Sequence, residues 1–388
     1  MAEGTENAEL LEVGPSRAES ADAAAECAKA VDAAGEALEI DASHGGQVLR
    51  TAIGLSALTG VPVSLKNIRS SRPKPGLKKQ HVAAITAVVS ICGARTMGVF
   101  EGSKEIKFSP REIMQKQTLA TNIGSAGSVA LVIQSASLPA LACELKISAT
   151  GGTDVAFSPP MNYLANALFP ALKCTRARFS AETLMHGYFP KGRGRVLFRS
   201  KPAALPLKPL RILELGELQE IKAFSHSASL PSDVSRNQLS AAKNALANAG
   251  IDAPFGGHAE SRERADTIGS GIDLFAIFSS GAVIGANALG EKGKPATRVG
   301  EEAAQNLLRE LSAQRPVDSH LADQLIPYMA LAKGKSEISC TSLTEHTLTN
   351  ISVCEKMLGV KFEVRGSQGE PAEISVTGAG FSTKARQK

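Results

Sequence analysis

The chain has no tryptophan, and aromatic residues make up only 4% of its 388 positions. So few rings exclude reading RNA by rows of bases stacked along an open sheet, which needs repeated Phe and Tyr. They also leave the core to Ala, Leu, Val and Ile, within an apolar share of 43%. Paired cysteines are missing too. Cys27, Cys92, Cys143, Cys174, Cys340 and Cys354 are scattered with no CxxC, which is neither zinc-finger spacing nor a dense disulfide framework. A reducing compartment, nuclear or cytoplasmic, is the expectation. No apolar run reaches the length of a membrane span. The N-terminus lacks both an Arg-rich transit character and a signal-peptide apolar stretch.

What is present is unevenly charged. Residues 1–40 hold ten acids against Arg17 and Lys29, a balance of −8, so the rest of the chain carries +13. A basic body suits an anionic ligand such as a nucleotide or an RNA end. Residues 1–36, rich in Ala and Glu and poor in large apolar residues, are expected to be a disordered acidic tail. From residue 37 strands and helices alternate. ALEID reads as a strand and GGQVLRTAIGLSALTG as a Gly turn entering a helix. VPVSLKNIR reads as a strand, and HVAAITAVVSICG as a helix stopped by Gly. A second cycle starts at GSAGS and runs through VALVIQSASLPALAC and ELKISAT. A third is placed from AVIGANALG through EEAAQNLLRELSA to the end. The expected fold is α/β, built from repeated βα units. The Pro-rich KPAALPLKPL opens a different stretch. Residues 201–287 are expected to form a smaller inserted α/β domain, and residues 37–200 and 288–380 the large one.

Several segments have residue types suited to phosphate chemistry. GGQVLR (Gly45–Arg50) sets bare glycines before a helix, where backbone amides and the helix dipole favour an anion and Arg50 adds a charge. Alone it marks an ordinary turn equally well. IRSSRPKPGLKKQH (Ile68–His81) packs Arg69, Arg72, Lys74, Lys78 and Lys79 around stiffening prolines, as a rigid phosphate-binding loop would; a solvated basic loop has the same composition. Gln134 lies in the helix after GSAGS. Asp323 and Gln324, in HLADQ, stand at the edge of an apolar helix. Ser342–Glu345 has the capping-box pattern. His346 then falls in the first turn of a helix, whose dipole keeps the imidazole neutral and nucleophilic. A lone His there is also an ordinary structural residue.

Taken together and in this order, GGQVLR, IRxxRxKPGLxxQH, GSAGS, LVIQ, GGTD (Gly151–Asp154), HGYFPKGRG (His186–Gly194), LADQL and HTLTN resemble the RNA 3′-terminal phosphate cyclase family, from about residue 37 to about 365. The resemblance implies a large domain of repeats, similar to the C-terminal unit of a bacterial translation initiation factor and to enolpyruvyl transferases, with a smaller inserted domain. It implies ATP-dependent conversion of an RNA 3′-phosphate to a 2′,3′-cyclic phosphate, by a ligase-class enzyme that forms a phosphoric ester. A divalent metal, Mg or Mn, would assist. The adenylated histidine falls on His346. ATP contacts fall on Gln134, Pro159, Tyr163, His320, Leu321, Ala322, Asp323 and Gln324. Phosphate and RNA contacts fall on Arg50, Arg69, Arg72 and Gln80. Three departures stand out. The family's EGGGQ is SHGGQ here, so its metal-binding glutamate becomes Ser43 or is deleted, leaving Glu39, Asp41 or His44 as substitutes. His320 replaces an aromatic, and Arg193 interrupts a glycine run. A related group of cyclase-like proteins in ribosomal RNA processing lacks the nucleophilic histidine, so a non-catalytic RNA-binding factor is the alternative. An enolpyruvyl transferase fits the architecture but not the motifs.

Overall fold

In the computed structural model, residues 11–12 and 37–383 are described. The acidic tail expected at 1–36 therefore lies outside the described residues, except for Leu11–Glu12 (β1). That pair was expected to be outside the fold, yet it pairs parallel with Leu119 and Ala120.

Local sequence sets the helix limits. Helix α1 (Gly46–Thr59) ends on Gly60 in the left-handed conformation, and α2 (Lys79–Cys92) likewise on Gly93. Glycine adopts that geometry without the Cβ clash other residues meet. Helix α3 (Val129–Ser137) opens on Ser128, whose hydroxyl accepts from the Leu131 amide. Its sides are buried almost all round, with Gln134 the half-exposed exception. Strand β7 (Glu144–Gly151) alternates buried and more exposed positions, as the period of two requires.

Three sheets share one strand order. In the first, β2 (Leu38–Asp41) and β3 (Val63–Lys66) run parallel around α1, and β5 (Ile106–Ser109) and β4 (Arg95–Met97) complete the order β2-β3-β5-β4. In the second, β6 (Lys116–Asn122) and β7 run parallel around α3, followed by β9 (Gly194–Lys201) and β8 (Arg178–Met185). In the third, β10 (Arg211–Ile212) pairs parallel with β15 (Lys333–Cys340), followed by β17 (Ala372–Ala379) and β16 (Phe362–Arg365). Helices α6 (Ser319–Leu331) and α7 (Glu345–Leu358) belong to this third region, and α7 packs on both α6 and α1. One apolar cluster runs through all three regions, mostly Leu, Ile, Val and Ala, with Phe108 and Phe198 fully buried.

A fourth sheet, β12-β11-β13-β14, is formed by Phe255–Arg262, Leu218–Ala228, Gly269–Phe278 and Val283–Leu289. Helices α4 (Asp233–Asn248) and α5 (Ala296–Ser312) cover it around a second apolar cluster that includes Leu246, Leu274, Ile284 and Leu307. This corrects the sequence reading at both borders. Val283–Leu289 and Ala296–Ser312 were placed in a third cycle, but they bury their apolar faces in the inserted sheet. The end of the Pro-rich stretch, placed in the insertion, leads instead into Arg211–Ile212 on the large-domain sheet. Periodicity shows that a helix has an apolar face; it does not show which sheet that face meets.

Candidate functional site

Helices α1, α6 and α7 converge, and their polar residues meet. Thr51 on α1 donates to Asn350 on α7 at 2.7 Å, and Asn350 donates to the Asp323 carbonyl on α6 at 2.7 Å. Asn350 and Thr51 are buried, so removing either would leave a polar group unsatisfied at a cost of about 1–3 kcal/mol. From α3, Gln134 donates to Gln324 at 2.7 Å, and Gln324 donates to the His320 carbonyl. Positions 190 residues apart are thus joined in one amide chain.

The start of α1 has no side-chain cap, so its first amides remain available to an anion. Gly45 sits at φ 142, and a Cβ at Gly46 would stand 2.4 Å from His81 Nε2. The paired glycines are therefore a steric requirement. His81 is buried and accepts the Lys78 amide at Nδ1. Burial, then Arg50, Arg69 and Lys78, drive its pKa down to about 3, so it packs as a neutral ring. Arg50 bonds Gln47, while its buried Nε has no partner. Burial lowers the Arg50 guanidinium to about 10, against the pull of Asp323, and it stays charged at neutral pH.

His346 is the second residue of α7. Thr344, not Ser342, is the N-cap, and it accepts the Thr347 amide. The expected capping box does not form, because the helix starts two residues later than the Ser342–Glu345 pattern places it. His346 is exposed, and its pKa lies below the usual 6.5 through burial, then Arg50, then Arg72 and His320, against Glu345. Its imidazole is neutral at pH 7. Glu345 reaches back across the cleft, 3.5 Å from His44. Burial pushes the half-buried Asp323 carboxyl up to about 7, against His320 and Arg50.

The basic loop divides its labour. Arg69, at φ 55, donates to the carbonyls of Lys74 and Gly76 and so holds the loop closed. Arg72 is exposed, with one 3.4 Å contact to the His44 carbonyl, beside the start of α1. Gln80 accepts the Ser128 amide and ties this loop to GSAGS.

Four expected ATP contacts lie differently. Tyr163 is 3% exposed, its hydroxyl donates to Asp318 at 2.6 Å, and its ring lies over Gly285 of the inserted sheet. That placement makes it a joint between sheets and leaves no open ring face for a base. Pro159 is half-buried in the loop before it. Leu321 and Ala322 point into the core. The cleft between Gln47, Arg50, Gln134, Gln324 and Asn350 is narrow, about 30 Å³. A larger groove of about 480 Å³, lined by Lys335, Lys361 and Thr377, contains none of these groups.

The carboxylates expected near Ser43 are both engaged: Glu39 pairs with Lys66 at 2.5 Å, and Asp41 accepts from the Ser43 amide and hydroxyl. The exposed carboxylate beside this end of α1 is that of Glu345, next to His44. No helix among the described residues is long and apolar enough to cross a membrane.

Comparison with known proteins converges on one family. Residues 42–364 match the model of RNA 3′-terminal phosphate cyclase. A Methanopyrus kandleri protein of that name is 42% identical over 347 residues, covering 87% of this chain and 98% of its own length. A Methanosarcina barkeri protein of the same name is 43% identical over 348 residues, covering 88% and 100%. One from Pyrobaculum aerophilum is 38% identical over 351 residues, covering 89% and 99%. With its core, cleft and motif order spanning the matched residues, the chain belongs to the RNA 3′-terminal phosphate cyclase family.

Proposed function

We propose that this chain uses ATP to convert an RNA 3′-phosphate into a 2′,3′-cyclic phosphate, with His346 as the nucleophile. The observation that carries the reading is the neutral, exposed His346 at a helix start, within the electrostatic reach of Arg50 and Arg72, while its neighbour Glu345 stands 3.5 Å from His44, just before the uncapped start of α1. A neutral imidazole beside paired cations and open amides can attack phosphorus while the leaving oxyanion is stabilised. His346 attacks the α-phosphorus of ATP, pyrophosphate leaves, and a histidine–AMP phosphoramidate forms. The terminal phosphate of the RNA then takes AMP from His346. The adjacent 2′-oxygen attacks the activated phosphorus, its proton is lost, and AMP departs. Arg50, Arg72 and the α1 amides hold phosphates, Gln134 and Gln324 face the nucleotide, and Arg69 and Gln80 shape the loop. No step is routed through a metal, since the residues at Ser43 do not supply its ligand. The same reading takes the three sheets as copies of one unit, with 213–316 inserted in the third, and places the chain in the nucleus or cytoplasm.

The unavailable carboxylates around Ser43 favour a second reading, a cyclase-like RNA-binding factor without chemistry. Incubation with α-labelled ATP and Mg or Mn separates them. The proposal expects an acid-labile label on the wild type that is lost in His346→Ala, with circular dichroism unchanged. Label retained by a folded His346→Ala chain would remove the assignment; no label on the wild type would favour the second reading.

A further inference from the structure

Far from the α1 amides in sequence, and unused by the chemistry above, three side chains from two parts of the molecule converge, and a fourth, Asp273, whose Oδ2 also accepts from Asn162 at 2.8 Å, stands beside one of them. Asp154 follows β7 and His186 follows β8, both in the large domain. His226 lies on β11 and Asp273 on β13 of the inserted sheet. Asp154, His226 and Asp273 are 3%, 2% and 2% exposed, and His186 lies at the rim. The candidate ligand atoms of Asp154, His186 and His226 lie within 4.8 Å of one another.

His226 Nε2 is buried with no hydrogen-bond partner. It stands 3.4 Å from Asp154 Oδ1 and 3.5 Å from Asp273 Oδ2. These are long for hydrogen bonds, but they match the separation of two ligands on a tetrahedral zinc. Bonds of about 2.0–2.1 Å at the tetrahedral angle put neighbouring ligand atoms roughly 3.4 Å apart. The other nitrogen, Nδ1, is held at 2.6 Å by the Tyr188 hydroxyl. When Nδ1 donates to that oxygen, Nε2 keeps a lone pair facing the centre, the outer-sphere arrangement common for metal-bound histidine. Two buried carboxylates meet here with no Lys or Arg among the enclosing groups, so their charge is balanced by the two imidazoles when protonated or by a bound cation when they are neutral.

We infer that Asp154, His186 and His226 bind one divalent transition-metal ion of the zinc class, with Asp273 in reach of the fourth position. Two imidazole nitrogens with carboxylate oxygens suit Zn, Co or Ni rather than Mg or Ca, which prefer oxygen alone. The site is therefore chemically distinct from any Mg or Mn used with ATP, and it does not depend on the cyclase reading. Occupation requires one adjustment. The His186 and His226 rings are stacked, with centroids 3.9 Å apart and planes 14° apart, so both lone pairs cannot meet one ion unless a ring turns. His186 at the rim is the one able to turn, about a torsion that is soft. It then exchanges its 2.6 Å contact with Asp154 Oδ2 for the ion. The ion would join the GGTD and HGYFPKG loops to the inserted sheet, fixing the two parts relative to each other.

The test uses the full-length chain. Its metal content is measured by mass spectrometry as purified. The EDTA-stripped chain is then titrated with Zn²⁺ by calorimetry and with Co²⁺ by visible absorption. The expected result is one Zn²⁺ per chain and the intense bands of tetrahedral Co²⁺. His186→Gln and His226→Gln should each weaken binding about 100-fold or more, while His346→Ala leaves it unchanged. If His226→Gln fails to fold, the rim variant His186→Gln decides alone. No Zn²⁺ uptake by the stripped chain, or wild-type affinity in a folded His186→Gln, would overturn the assignment.

Discussion

His346 and His226 are the same side chain in opposite fields. His346 stands at an exposed helix start, and Arg50, Arg72 and His320 add to burial in lowering its pKa. His226 is buried, which by itself lowers its pKa, but Asp154 and Asp273 more than reverse this and raise it. Asp154 mirrors the effect: burial disfavours its charge, yet His226 and His186 hold its carboxyl well below the usual range. Cations around one imidazole keep it neutral, as the proposed nucleophile must be. Carboxylates around the other favour a positive charge on or beside it. Neighbour sign, more than burial, separates the two sites.

The comparison can be broken by removing neighbours. Arg50→Ala should have the largest effect, since a buried charged contact is worth about 1.5–3 kcal/mol. Adenylation should fall on the order of 10–100-fold, and the His346 pKa should rise toward its ordinary value, read by NMR titration. An unchanged rate would show that Arg50 serves packing alone. Next comes the basic loop. Arg72→Ala should lower adenylation roughly tenfold, the effect of ~1.4 kcal/mol, with no change in melting temperature. Arg69→Ala should lower both, because Arg69 holds the Lys74 and Gly76 carbonyls. Identical behaviour of the two variants would erase the distinction drawn between them.

The pH profile sharpens the same contrast. His346 lies below 6.5, so adenylation should rise with pH through a midpoint below 6.5 and then level off as the neutral imidazole saturates. A midpoint above 6.5 would mean that the surrounding cations do not control it. Asp323 gives a stability signature. Its folded pKa of about 7 exceeds the ordinary 3.8. Between those values the folded state holds a proton that the unfolded state has lost, so this contribution is lost as pH rises through 7. Asp323→Asn should therefore gain stability over the wild type from pH 5 to pH 8, by ~2 °C or more in differential scanning calorimetry. A pH-independent difference would place the carboxyl in ordinary solvent. The smallest effect is expected at Ser43. Ser43→Glu adds a carboxylate near the uncapped end of α1 and should lower the Mg or Mn midpoint for adenylation a few-fold, about 1 kcal/mol or less. An unchanged midpoint would show that this position holds no metal.

Much of the cleft was legible because its motifs are local. GGQVLR announced an uncapped helix start, and the steric contact of Gly46 with His81 explains the glycine pair. His346 could be placed in a first turn from its distance to nearby polar residues, although the cap proved to be Thr344, since Ser342 and Thr344 carry equivalent hydroxyls and only the backbone path chooses between them. The burial of Tyr163 against Asp318 was not legible, because a motif position does not reveal burial. The His226 site was illegible: GGTD and HGYFPKGRG stood out without a role, and His226 has no metal-ligand spacing to either.

The sequence by itself determined the alternation of helices and strands, the Gly stops, the aliphatic core and the order of phosphate-suited segments, because each depends on periodicity or on backbone freedom within a few residues. Tertiary structure decided which sheet α5 covers and which arginine faces outward. It also decided the pairing of Gln134 with Gln324 and the meeting of Asp154 and His186 with His226. Those outcomes depend on strand register and helix packing between distant segments, and the sign of the field at each histidine is set only when those segments meet.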